Sequence, residues 1–323
     1  SSLVGLEMCI RDSKDGKWGE LYATEDVNMN IHMASTCLHY GQEVFEGLKA
    51  FRGADGKVRL FRVEENAKHM INSGEYLKMA VPSVELFTKA CIEAVKLNAD
   101  YIPPYGSGAS LYLRPMLIGV GPQVGVKPSA DYLFAVFVTP VGPYYKDGFN
   151  CIKVIIDYDH DRAAPKGTGH VKVGGNYAAS LDSGEIAHQK GFASVIFLDP
   201  ATKQYIDECS AANFFGIRDG KYITPDSHSV LPSITNKSLR QIAEDLGLKV
   251  EQRKVGVEEL PTFSEAGCCG TAAVISPIGS VYDPKTDKTI VYGDGKTAGP
   301  WSQKLYKLSL IHISEPTRLD VIS

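Results

Sequence analysis

The sequence predicts two α+β domains with mixed sheets and flanking helices, joined near residue 145. Three observations lead there. At 323 residues the chain is long enough for two domains of ordinary size, each with its own core. Short apolar, β-branched segments alternate with amphipathic ones instead of clustering by type. Finally, TPVGPYYKDGFN (139–150) breaks that alternation with prolines and glycines. We therefore read residues 14–140 as a smaller N-terminal domain, 141–150 as a linker and 151–307 as a larger C-terminal domain.

In the first half, VRLFR (58–62) reads as a strand and VEENAKHMINSGEYLKM (63–79) as a helix. PSVELFTKACIEAVKLNA follows as a second helix, with Ser83 as N-cap and Phe87, Cys91, Ala94 and Val95 on one face. LYLRPMLIGV and YLFAVFVTPV are apolar, branched and aromatic, as central strands are. The second half opens with the strand CIKVIID and passes through the glycine-rich 165–176 into a helix near 177–190. ASVIFLD is a strand, and NFFGIRDGKYITP a hairpin turning at Asp219-Gly220. ITNKSLRQIAEDLG is an amphipathic helix, and CGTAAVISPIGSVY an apolar strand region. There is no internal repeat and no low-complexity tract.

Composition excludes more than it assigns. Hydrophobic residues at 44% and charged residues at 22% are those of an ordinary globular chain. A net charge of -4 gives no reason to expect nucleic acid or an anionic membrane as partner. No apolar run approaches the roughly 20 residues that span a bilayer. Seven irregularly spaced cysteines do not form a disulfide framework; Cys268-Cys269 reads as two buried thiols, and the expected compartment is a reducing cytoplasm. Residues 3–13 (LVGLEMCIRDS) and 308–318 (LSLIHISEPTR) resemble the two translated strands of a sequencing adapter, with one mismatch at Leu6. We set about 1–13 and 308–323 apart from the fold on that ground and expect the natural gene to extend further.

The chemistry starts at VKVGGNYAAS (171–180), where Lys172 stands just before a double glycine. A lysine amine attacks carbonyls only when unprotonated, which burial and nearby positive charge promote. A surface turn would also explain the motif. Arg62 ends a strand, where its guanidinium could hold a phosphate or simply face solvent. A helix beginning at Ser233-Ile234-Thr235 offers free amides for an anion, though every helix has such a first turn. Thr271 of GTAA could add a hydroxyl and an N–H or be an ordinary strand residue. Glu208 of YIDECSAANFF precedes small and apolar residues; it could sit beside a pyridine nitrogen or end a hairpin in solvent.

LHYGQEVFEGLKAF, VRLFR, LYLRP, VKVGGNY, DECSAANFF, LPSIT and CGTAAVISPIG occur in this order, and together they resemble the branched-chain amino acid aminotransferases. Those are fold-type IV pyridoxal-phosphate enzymes, related in fold to D-amino acid aminotransferase. The likeness runs from about residue 17 to 307, with GPWSQKLY similar to the family's last helix. It implies reversible transamination between L-leucine, L-isoleucine or L-valine and 2-oxoglutarate, with pyridoxal 5'-phosphate as cofactor and a cytoplasmic homodimer as the working form. It makes Lys172 the Schiff-base lysine and proton shuttle. Glu208 pairs with the pyridine nitrogen, Tyr177 with the ring hydroxyl, and Arg62, Ile234, Thr235 and Thr271 hold the phosphate. For the substrate, Tyr40 and Phe45 wall an apolar pocket, and Tyr112 with the Thr271-Ala272 amides takes the α-carboxylate. Arg114 receives a distal carboxylate, Val126 comes from the partner subunit and Tyr144 from the connection. Gly174 and Gly175 are expected to let the backbone turn without a Cβ against the ring.

The same likeness admits a D-amino acid aminotransferase, an R-amine transaminase, an aminodeoxychorismate lyase or a pyridoxal-phosphate carrier. HYGQEVFEG and LYLRP favour the branched-chain reading, and a carrier has no use for both Lys172 and Glu208. GVGPQVG (119–125) lacks the dinucleotide spacing. The mammalian members' CxxC follows the GTA turn, whereas Cys268 and Cys269 precede it, so redox regulation is not carried over. No metal is expected.

Overall fold

The structure is a computed structural model that describes residues 8–14, 16–143, 149–314 and 319–322. It divides into two compact units. The first comprises Ser1–Tyr144, Val171–Gly174 and His312–Ser323; the second comprises Tyr145–His170 and Gly175–Ile311. The lysine-bearing segment thus belongs to the first unit, although the chain on both sides of it belongs to the second.

The first unit opens with strands β1 (Met8–Lys14), β2 (Lys17–Trp18) and β3 (Tyr22–Thr24). Helix α1 (Thr36–Tyr40) leads into β4 (Glu43–Phe45), β5 (Leu48–Arg52) and β6 (Val58–Phe61). Helices α2 (Val63–Tyr76) and α3 (Val84–Leu97) follow, then the long strands β7 (Ser110–Gly119) and β8 (Asp131–Val141). The sheet runs β6-β5-β7-β8-β1-β2, with β4 beside β7 and β3 beside β1. Leu111, Leu113 and Leu117 of β7 are buried while Tyr112, Arg114 and Met116 are half-buried, the period-2 alternation of a strand with one face in a core. Against the core face pack α2 and α3, with Phe87, Cys91, Ala94 and Val95 all buried and Phe87 stacked on Phe134 at 5.8 Å between centroids. Burying a side chain such as Phe87 contributes roughly 1.5–3 kcal/mol. The Ser83 side chain caps α3 by accepting from the Leu86 amide at 3.1 Å. Helix α2 stops at Tyr76, short of the expected Met79, because Lys78 takes a left-handed conformation (φ 58°) and the Met79 amide turns back to the Gly74 carbonyl.

The second unit contains β9 (Ile152–Asp157), α4 (Gly174–Ala178), α5 (Leu181–Gln189), β10 (Ser194–Leu198), β11 (Ile206–Cys209), β12 (Ala212–Arg218) and β13 (Lys221–Pro225). It continues with α6 (Ile234–Asp245), β14 (Lys249–Arg253), β15 (Glu265–Gly270), β16 (Val274–Asp283), β17 (Lys288–Val291) and α7 (Pro300–Ser314). Its sheet runs β11-β10-β9-β16-β15-β12-β13-β14, and β11 also pairs with β12, so six of these strands close on themselves. β9 is parallel to β10 and β16, while β15 is antiparallel to both its neighbours, which makes the sheet mixed. Val154, Ile156, Ile196, Leu198, Phe214 and Ile278 belong to its core. Asp219 (φ 50°) and Gly220 (φ 69°) turn the β12–β13 hairpin as expected.

Three expectations change. The helix near 177–190 is two helices, α4 and α5, broken at residues 179–180. CGTAAVISPIGSVY is not one strand region: it spans the end of β15, a turn at Thr271-Ala272-Ala273, and β16. The adapter-like ends, set apart from the fold, supply strand: β1 pairs with β8, and a last strand, β18 (Leu319–Ile322), pairs with β6. Among the described residues no helix is long and apolar enough to cross a membrane, and no His, Cys, Asp and Glu side chains group to hold a metal.

Candidate active site

In the first unit the site grows from a break in the sheet. β4 and β5 lie on the same edge of β7, Phe45 opposite Met116 and Lys49 opposite Tyr112, with Glu46 and Gly47 between them. Directly opposed residues share a face. Register therefore places Glu43, Phe45, Lys49, Tyr112 and Arg114 together, away from the core side occupied by Val44, Leu48 and Leu113. The Arg114 guanidinium stacks 4.7 Å from the Phe45 ring centroid and donates to the Tyr112 hydroxyl at 2.9 Å. A Cβ on Gly47 would collide with that hydroxyl, so the glycine makes room for Tyr112. Burial pushes Lys49 down to about 8.

Lys172 is laid onto this face by its backbone. The Phe45 amide donates to the Lys172 carbonyl at 3.3 Å, the Lys172 amide donates to Ser73 Oγ at 3.0 Å, and Val44 bridges Val173. Lys172 Nζ lies 5.0 Å from the Phe45 centroid. The Gly174 amide donates to Glu43 Oε1, and a Cβ on Gly174 would strike that carboxylate. Here the expected role of the double glycine is corrected. Neither Gly174 nor Gly175 has a positive φ, both open helix α4, and Gly174 is small because Glu43 approaches it. Behind the break, buried Glu46 accepts from Asn66 Nδ2 at 2.8 Å and lies 2.8 Å from His69 Nδ1, anchoring it to α2. Arg62, just before α2, is half-buried and left-handed (φ 53°), a sparsely populated state for a residue with a Cβ. Tyr40 donates its hydroxyl to the Val124 carbonyl on an exposed loop, and Val126 on that loop is 84% exposed.

In the second unit the carboxylate of Glu208, on β11, is 3% exposed and held on both oxygens. Arg162 forms an ion pair with Oε2, and Asn213 Nδ2 donates to Oε1 at 2.8 Å. Asn236 Nδ2 donates to Asn213 Oδ1 at 3.1 Å, and Asn236 Oδ1 accepts from the Tyr222 hydroxyl at 2.8 Å, so the network reaches the first turn of α6. Ser233 caps that helix by accepting from the Asn236 amide at 3.1 Å, which leaves Ile234 and Thr235 as its first two residues. Amides at this end suit an anion. Thr271 and Ala272 are both exposed on the β15–β16 turn, and Val274, which closes that turn, is left-handed (φ 64°), a true outlier for a β-branched side chain. Tyr177 is half-buried in α4, where Asn176 and Thr168 bond reciprocally. Tyr144 lies outside the described residues. A cavity of about 460 Å³ lined by Asp199, Tyr205, Asp207 and Lys254 contains none of the expected site residues.

Within the first unit, then, Phe45, Tyr112, Arg114 and Lys172 come together, and within the second Glu208 joins the start of α6. Sequence reasoning missed Glu43, Gly47, Lys49, Arg162 and Asn213. Of these, Glu43, Gly47 and Lys49 lie in LHYGQEVFEGLKAF, on alternate residues in step with Phe45, and Asn213 lies in DECSAANFF; only Arg162 falls outside the motifs. Taken unit by unit, the groups present have the chemistry a phosphorylated pyridine would need: a guanidinium and a lysine amine in the first, and helix-start amides and a held carboxylate in the second.

Residues 43–281 match the family described as amino-transferase class IV, and the chain belongs to that family. It is 50% identical over 300 residues to the branched-chain-amino-acid aminotransferase of Haemophilus influenzae, covering 91% of this chain and 87% of that one. Among solved structures, the branched-chain amino acid aminotransferase of Escherichia coli superposes with a TM-score of 0.81 at 27% identity, over 98% of this chain and 99% of that one. Another branched-chain amino acid aminotransferase, solved in complex with N-(5'-phosphopyridoxyl)-L-glutamate, does so at 0.79 and 27%, over 98% of each. The fold is therefore the two-domain α+β architecture of fold-type IV enzymes.

Proposed function

We propose that the protein is a pyridoxal-phosphate-dependent aminotransferase that exchanges amino groups between L-leucine, L-isoleucine or L-valine and 2-oxoglutarate. The observation that carries this reading is one sheet face holding an apolar wall and a cation side by side. Phe45 touches both the Lys172 amine and the Arg114 guanidinium, with Tyr112 bonded to the latter. A branched aliphatic side chain suits the ring, and a distal carboxylate suits the guanidinium, so two unlike substrates use one place. The solved relative complexed with a phosphopyridoxyl conjugate of glutamate supports both the cofactor and the second substrate.

When bound, pyridoxal phosphate supplies an electron sink for the pair left on the substrate Cα. Lys172 Nζ would take the proton from the substrate Cα and hold it for return, its backbone fixed meanwhile by β4 and Ser73. Glu208 would face the ring N–H, its carboxylate held in place by Arg162 and Asn213. Arg62 and the α6 amides at Ile234 and Thr235 hold the phosphate. Tyr112 and the Thr271-Ala272 turn orient the α-carboxylate, Tyr177 faces the ring hydroxyl, and Tyr40 completes the apolar wall. Exposed Val126 we assign to contact with a second copy in a cytoplasmic homodimer, and Tyr144 to the substrate.

The test is the visible spectrum of the protein reconstituted with pyridoxal phosphate, with L-leucine or D-alanine added and no acceptor present. Bleaching of the yellow band by L-leucine alone is expected. Bleaching by D-alanine alone would move the protein to a D-amino acid specificity, and a band untouched by either would remove the transamination reading.

A further inference from the structure

Glu43 has no part in the chemistry so far, yet it is the acidic member of a face that otherwise carries Lys49, Arg114 and Lys172. It is half-buried, and its carboxylate is not free to swing: Oε1 accepts the Gly174 amide, and Gly174 lacks the Cβ that would displace it. Burial pushes this carboxyl above its ordinary value, outweighing the Gly174 amide and the nearby Arg114 charge, which pull it down. Arg114 is equally fixed, stacked on Phe45 and bonded to Tyr112. Two opposite charges are thus held on one face by separate partners.

We propose that Glu43 sets substrate selectivity: anchored by the Gly174 amide, its negative charge offsets part of the Arg114 charge, so the same wall accepts an uncharged side chain as well as a distal carboxylate. The inference rests on the reading of Arg114 as the receptor for that carboxylate. Its logic is a difference of affinities. Facing leucine, Arg114 has no partner from the substrate, and a half-buried cation without a counter-charge disfavours a dry pocket. Glu43 lowers that penalty. Facing glutamate, Glu43 repels the incoming carboxylate and keeps Arg114 from selecting dicarboxylates outright.

Glu43→Gln tests this, because glutamine keeps an oxygen for the Gly174 amide and removes only the charge. The probes are two unreactive acids, glutarate and 4-methylpentanoate, titrated against the pyridoxal-phosphate holoenzyme by calorimetry. Losing one charge at this range should raise the preference for glutarate over 4-methylpentanoate about fivefold, with glutarate itself binding more tightly. Glu43→Ser should move the preference in the same direction. Arg114→Met should lower it, and in the Arg114→Met background Glu43→Gln should change it less than about twofold. A preference unchanged by Glu43→Gln, alongside one that falls in Arg114→Met, would overturn the inference alone and leave Glu43 as a clamp on the lysine segment. A preference unchanged by Arg114→Met would overturn the Arg114 reading and this inference together.

Discussion

Gly47 and Gly174 are small for reasons that lie in other segments of the chain. An added Cβ at 47 meets the tip of Tyr112, and one at 174 meets the Glu43 carboxylate. The tyrosine tip can move aside, so Gly47→Ala should displace Tyr112 at little cost in melting temperature while weakening dicarboxylate binding by about tenfold, measured by glutarate titration. Lys172→Ala should leave the fold intact and abolish turnover. The Arg162–Glu208 pair behaves differently, being buried at both ends. Arg162→Met would leave a carboxylate without its cation, and we expect a loss of about 3 kcal/mol or more in denaturant titrations. Glu208→Gln keeps the Asn213 contact but leaves the Arg162 cation without its anion, so it should cost rate as well as stability. These residues also mark the limit of what a sequence discloses. Lys172, Arg62 and Glu208 stand out in motifs as candidates, whereas Glu43 meets Gly174 across 131 positions. No local pattern encodes such a pairing, because the sheet register that creates it is a property of the whole unit.

The elements that were legible are those whose signals are local. Helix α3 was readable from its Ser83 cap and its apolar stripe, and α6 from the position of Ser233 after a proline. The β15–β16 turn was not, because Thr271-Ala272-Ala273-Val274 continues an apolar run and its reversal depends on a left-handed valine where glycine would normally sit. Val274→Gly should relieve that conformation and stabilise the protein or leave it unchanged, while loosening the turn and weakening substrate carboxylate binding; calorimetric melting and a KM series separate the two effects. Ser233→Ala should cost about 1 kcal/mol through loss of the cap, and the affinity for pyridoxal phosphate should fall with it.

For the molecule as a whole, acid sensitivity has an identifiable contributor. Hydrogen bonds from Arg253 hold Glu259 down to about 2, helped by the Gly256 amide, against burial that opposes them. A folded value below the unfolded one, near 4.5, means the stabilisation is complete above pH 4.5 and lost as pH falls towards 2. Glu259 is 19% exposed and its partner Arg253 34%, so solvent screens the pair only in part and the contribution is on the order of 1 kcal/mol. Melting temperatures between pH 6 and 3 should fall less steeply in Glu259→Gln. Thiol chemistry should be quiet by contrast: Cys209, Cys268 and Cys269 are buried free thiols, and a thiol reagent should label them only after unfolding. The two-domain class was readable from length and alternation, but the crossing of the chain between the domains was not. Four residues, Val171–Gly174, return to the first unit in the midst of the second. During synthesis the aromatic wall at Phe45 and the guanidinium at Arg114 therefore leave the ribosome well before the amine they are to receive. A chain halted anywhere short of residue 171 carries the cup without the lysine we propose as its reactive amine, and on that reading no amount of folding by the fragment can make it react.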